Sequence, residues 1–156
     1  MTGTPPDTAA PRLAYVNVFA RDIEALSGFY AALFGFRELE GHRSPIYRCL
    51  DAGGIELGFN SSKAFELLAL ESRRFRDDAD ATAPVSVYFT VELSGRDAID
   101  TACTRAQRLG GRVVKAPYLT YYNAYQAVLE DPEGNVFRVN HRLGARTPFA
   151  ETGVQF

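Results

Sequence analysis

The chain has 156 residues, 46% of them apolar, and a formal net charge of −2. This length suits one domain, or two small modules sharing a core, and the apolar content suffices for a sizeable interior. The near-balanced charge leaves no electrostatic footprint for nucleic acid or an anionic membrane, and no apolar run reaches the ~20 residues of a membrane span.

Residues 1–12 are rich in Pro, Thr and Ala and are expected to be a disordered tail. They lack the basic start and apolar stretch of a signal peptide, so the expected compartment is the cytoplasm. Leu13–Phe19 is β-branched and aromatic and predicts a strand. Asp22 is a natural helix N-cap. Ile23, Leu26, Phe29, Tyr30 and Leu33 recur at helical period, and Gly35 suits the left-handed stop, which predicts a helix over 22–34. Strands are expected at Phe36–Glu40, Ile46–Leu50 and Ile55–Phe59, the last two joined by an Asp51-Ala-Gly-Gly54 hairpin.

Residues 60–84 are polar and charged and read as a linker. Within it Phe65–Leu70 fits either a helical turn or an extra strand. The same order of elements then returns. Val85–Val91 predicts a strand, Asp97 a helix cap, and Gly110-Gly111 the stop of a helix over 97–109. Arg112–Lys115, Ala124–Leu129 and Asn135–Asn140 predict strands, with a turn at Asp131-Pro-Glu-Gly134. Residues 141–156 show no period and read as a tail. The repeat means two copies of one βαβββ unit, residues 13–59 and 85–140, each needing the other to cover its apolar face. The fold class is therefore α+β, built of two βαβββ modules.

Cys49 and Cys103 have no metal-type spacing and read as reduced core residues. Gly-x-Ser-x-Gly, Gly-x-Gly-x-x-Gly and phosphate-loop motifs are absent, so nothing points to a nucleotide or nicotinamide cofactor.

Phe29-Tyr30, Leu33-Phe-Gly-Phe36, Ile55-Glu-Leu57, Gly110-Gly111 and Glu130-Asp-Pro-Glu-Gly-Asn135, in this order, resemble the vicinal oxygen chelate superfamily of glyoxalases, extradiol dioxygenases and bleomycin-resistance proteins. The resemblance spans residues 13–140 and implies two modules forming a curved mixed sheet around a central cavity. It implies a homodimer and, in metal-dependent members, four His or Glu ligands at positions that here hold Tyr15, Glu56, Ser86 and Arg138. Only Glu56 fits that pattern. A divalent ion needs several deprotonated donors at once, so the expectation is a central site without metal or other cofactor. His42 and His141 lie outside the matched positions and read as solvated surface residues.

The resemblance implies that Glu56 and Arg138 both face the central site. Glu56 is then either a general base or the ion-pair partner of Arg138, expected within about 4 Å of it. Tyr121 and Tyr122, in the tyrosine-rich run Tyr118–Tyr125, read either as edge packing or as an aromatic wall for a planar ligand, joined by Tyr15, Asn17, Ser86 and Tyr88. Three functions follow: metal-independent binding of a small aromatic or amphiphilic molecule; a lyase or isomerase acting on a small carbonyl compound with Glu56 as proton shuttle; or a structural dimer without ligand.

Overall fold

A computed structural model describes residues 10–74 and 84–155. Most of the expected N-terminal tail and the acidic part of the linker lie outside the described residues. The first module runs β1 (Tyr15–Phe19), α1 (Ile23–Phe34), β2 (Arg37–Glu38), β3 (Tyr47–Asp51) and β4 (Glu56–Asn60). A four-residue helix, α2 (Ala64–Leu67), resolves the ambiguous run after it as a helical turn. The second module runs β5 (Phe89–Glu92), α3 (Arg96–Arg108), β6 (Arg112–Leu119), β7 (Ala124–Glu130) and β8 (Val136–Arg142). The architecture is α+β, two βαβββ units, each with a four-stranded mixed sheet. The orders are β1-β4-β3-β2 and β5-β8-β7-β6, and the two sheets do not close on one another.

Local chemistry accounts for the helix ends. Asp22 Oδ1 accepts from the N–H groups of Glu24 and Ala25 at 3.0 and 2.9 Å, which satisfies donors that the first turn leaves unpaired. Gly35, at φ 71°, closes α1 in the left-handed region, and its N–H reaches Ala31 O. Helix α3 corrects the expectation. Its N-cap is Gly95 and makes no side-chain cap bond; Asp97 lies inside the first turn, where its charge meets the positive end of the helix dipole. The predicted strand over 85–91 is also shorter: residues 84–88 lie outside any strand, and pairing with β8 begins at Phe89.

One core joins the modules. Leu26, Phe29, Tyr30 and Leu33 from α1, with Leu57 and Phe59, pack in the same cluster as Ile99, Leu129, Phe137 and Val139. Tyr30 is fully buried, and its ring meets Phe59 of one sheet and Phe89 and Phe137 of the other at centroid distances of 5.3–5.6 Å. Burying aromatic side chains of this size stabilises by roughly 1.5–3 kcal/mol each. The shared cluster is why neither unit covers its apolar face alone. Among the described residues no helix is long and apolar enough to cross a membrane.

Candidate functional site

Strand alternation divides each sheet into a helix-facing side and an open side. In β8, Phe137 and Val139 join the core, so Arg138 and Asn140 project to the open side. In β4, Leu57 and Phe59 are core, which sends Glu56, Gly58 and Asn60 to the open side of the first sheet.

The second module's open face carries a cavity of about 550 Å³ lined by Tyr88, Thr90, Glu92, Tyr121, Tyr122, Arg138, Asn140, Arg142 and Arg146, among others. Arg138 is its organising residue. Its Nε donates to Thr90 Oγ1 at 3.0 Å and its Nη1 to the Tyr122 hydroxyl at 3.2 Å, while its guanidinium lies over the Tyr88 ring, 5.3 Å from the centroid. Tyr122 in turn donates to Gln126 Oε1, and Gln126 Nε2 donates to the Tyr118 hydroxyl. This chain of bonds holds the tyrosine-rich run against the sheet. Among the described residues Arg138 pairs with no carboxylate. Glu92 is engaged elsewhere: its carboxylate accepts from Asn140 Nδ2 at 2.6 Å and from the backbone N–H of Arg142 at 2.7 Å. Asn140 is 7% exposed, and among the described residues its buried side-chain oxygen has no hydrogen-bond partner. Such an orphan costs stability unless something supplies a donor.

The open face of the first sheet is a separate place. Tyr15 pairs in register with Glu56, and Asn17 with Gly58. Glu56 Oε2 accepts from the Cys49 thiol at 3.3 Å and lies 3.6 Å from His42 Nδ1. Burial raises the Cys49 pKa, as does the neighbouring Glu56 carboxylate. Burial likewise pushes the Tyr47 phenol above its ordinary range.

Of the residues singled out in the sequence, Tyr88, Tyr121, Tyr122 and Arg138 meet at the cavity. Tyr15, Asn17 and Glu56 stand together on the other sheet. Ser86 is exposed outside any strand. The position equivalent to Tyr15 in the second module is Thr90, since Thr90 pairs with Arg138 as Tyr15 pairs with Glu56. In sequence Thr90 stands seven residues before Asp97 as Tyr15 stands seven before Asp22, but the cap of α3 is Gly95, so that spacing is no structural equivalence and strand pairing alone identifies Thr90. The expected Glu56–Arg138 ion pair is not formed. Each side chain has its own partners, on different sheets, because the two sheets do not fold over a common centre. His42 also departs from expectation, since a 3-10 turn over Glu40–His42 carries it to Glu56. Strand pairing therefore sets Tyr15 beside Glu56 on one sheet and Thr90, in place of the expected Ser86, beside Arg138 on the other. The two pairs share no centre within one chain, and the Arg138 guanidinium bonded to Thr90 brings a permanent positive charge to the second pair, so these four residues do not together fit a divalent metal.

Comparison with known proteins agrees with this architecture. The "Glyoxalase/Bleomycin resistance protein/Dioxygenase superfamily" matches over residues 12–139. No curated protein matches. Among solved structures, a glyoxalase/bleomycin resistance protein/dioxygenase family enzyme from Burkholderia phytofirmans PsJN is 44% identical, covers 85% of this chain and 100% of its own, and has a TM-score of 0.77. A glyoxalase-related enzyme from Fulvimarina pelagi (16% identity, 89% and 99% coverage, TM-score 0.69) shares the fold. So does a lactoylglutathione lyase from Agrobacterium tumefaciens (19% identity, 88% and 96% coverage, TM-score 0.59). With the repeated units, the signature turn and the matched span in agreement, the chain belongs to the glyoxalase/bleomycin resistance protein/dioxygenase superfamily.

Proposed function

We propose that this protein binds a small aromatic or amphiphilic molecule bearing an anionic group, without a metal, in the cavity of the second module. The observation that carries the reading is Arg138. A guanidinium has five N–H donors; two are used on Thr90 and Tyr122, which leaves three for a ligand. Three arginines and one glutamate line the cavity, so an anion is favoured there. Tyr88, Tyr121 and Tyr122 supply aromatic surface. A purely structural role would leave such an open, positively lined cavity without a purpose. A lyase using Glu56 with Arg138 at one oxyanion needs the two side by side, which this chain does not achieve within one protomer.

The protein is further read as a cytoplasmic homodimer. Both cysteines are free and buried, in keeping with a reducing compartment. Leu13, Tyr15, Val87 and Tyr88 are half or more exposed near the open sheet faces, and a second copy would cover them.

The test is calorimetric titration with benzoate, 4-hydroxybenzoate and benzyl alcohol as probes, on the wild type and Arg138→Gln. The acids should bind and the alcohol should not, and Arg138→Gln should weaken the acids by about tenfold or more. Equal binding of acid and alcohol, or no effect of the substitution, overturns the reading.

A further inference from the structure

We infer that His42, Cys49 and Glu56 form a divalent-cation site of the zinc type on the open face of the first module, separate from the Arg138 cavity and sharing only Glu56 with the ligand positions that the family resemblance implies. One ligand atom from each residue lies within 4.8 Å of the other two. The thiol and imidazole are 3.3 and 3.6 Å from the same carboxylate oxygen. Tetrahedral zinc with bonds of about 2.0–2.3 Å sets neighbouring ligand atoms about 3.4–3.6 Å apart. The three donors therefore already stand near the edges of one coordination shell. The set is one sulfur, one imidazole nitrogen and one carboxylate oxygen, which suits a borderline-soft ion and disfavours Mg²⁺ or Ca²⁺.

The sheet explains why they converge. Cys49 pairs with Gly58, two residues along β4 from Glu56, so the two side chains are diagonal neighbours on one face. His42 arrives on the 3-10 turn. That turn is tied to the strand of Cys49 by Leu39 N–H to Cys49 O at 2.9 Å, and closed by His42 N–H to Leu39 O at 2.9 Å. Arg43, the next residue, is clamped by Glu38 through two hydrogen bonds at 2.6 and 2.7 Å. The donors thus sit on backbone that is already fixed, and ordering them on binding costs little. Among the described residues Glu56 has no Lys or Arg partner, so a cation meets no competing charge there. Cys49 is completely buried whereas His42 is exposed, so the cluster opens to solvent on one side and leaves a fourth position for water. Binding transfers the thiol proton to solvent as the Cys49 sulfur–metal bond forms.

The experiment is competition of purified, metal-stripped full-length protein with a zinc-sensitive dye, paired with Co²⁺ absorption spectroscopy. The wild type should take up one Zn²⁺ per chain, and its Co²⁺ form should show a thiolate-to-metal charge-transfer band. Cys49→Ser should abolish that band. His42→Ala, which changes only an exposed side chain, should weaken Zn²⁺ binding by about 100-fold or more while leaving the circular dichroism unchanged. Arg138→Gln should leave Zn²⁺ uptake as it is, which keeps this inference independent of the ligand proposal. Absence of stoichiometric uptake overturns the site, and so does uptake of equal affinity in Cys49→Ser and His42→Ala.

Discussion

The Tyr30 hydroxyl donates to Asp131 Oδ2 at 2.8 Å in the buried seam between the two modules. The residues are 101 positions apart. One lies on the first helix and the other opens the Asp-Pro-Glu-Gly-Asn turn of the second module. Asp131 Oδ1 also accepts from the backbone N–H groups of Glu133 and Asn135, and Glu133 accepts from the N–H groups of Arg21 and Asp22 just before α1. The turn is therefore the joint of the molecule. Burial raises the Asp131 pKa, while Asn135 and Tyr30 pull it down by hydrogen bonding to the charged form.

Tyr30→Phe should cost about 1–3 kcal/mol, the loss of one hydrogen bond to a buried carboxylate. Removing that bond raises the folded-state pKa of Asp131 further. For a carboxyl whose folded pKa lies above its unfolded value, the stabilising linkage is present at low pH and lost as pH rises through the folded pKa. The penalty of Tyr30→Phe should thus be largest at neutral pH and shrink on acidification towards the ordinary carboxylate range. Urea melts at several pH values check this; a penalty that grows on acidification contradicts it.

Gly111 is a position where the backbone admits no side chain. A Cβ there would stand 2.7 Å from Glu130 O and 3.1 Å from Ala106 O, both main-chain atoms that cannot step aside. Gly111→Ala should destabilise by about 1–3 kcal/mol through overpacking where α3 turns into β6. By contrast Gly28, with nothing within 4 Å of its added Cβ and a helical backbone, should gain from Ala by about 0.5–1 kcal/mol. Thermal melts of the two variants should move in opposite directions.

Glu56→Gln and Arg138→Met should be additive in stability to within about 0.5 kcal/mol in dilute protein, since the two side chains share no partner. A double-mutant cycle measures this. Coupling that emerges only at high protein concentration would show the two open faces meeting across a pair of chains.

Burial pushes the Cys103 thiol up to about 11, and the side chain is 7% exposed. At pH 8 it should hold its proton and resist alkylation in the native state, then react fully in denaturant. Rapid native labelling of Cys103, followed by mass spectrometry, would contradict its place in the core.

Light scattering at rising concentration tests the proposed assembly. Twice the chain mass of 17.2 kDa is expected, and the monomer mass at every concentration counts against it.

Composition, period and punctuation carried much of this protein in the open. The apolar stripe of α1, the capping Asp22, Gly35 and the Asp131–Asn135 turn each act through neighbours in sequence, so their roles can be read without a structure. The order of elements, given twice, likewise exposed the two-module architecture. What lay out of reach depends on how the sheets face one another. Glu56 and Arg138 both face open sides, as alternation demands, but whether they meet is set by the packing of one module on the other, which no local pattern encodes. Thr90 was hidden because the exposed run Val85–Tyr88 imitates a strand, since β-propensity does not distinguish a paired segment from an unpaired one. His42 was hidden for another reason. Its approach to Cys49 and Glu56 comes from a 3-10 turn anchored by backbone hydrogen bonds, and such long-range convergence exists only once β3 and β4 have paired.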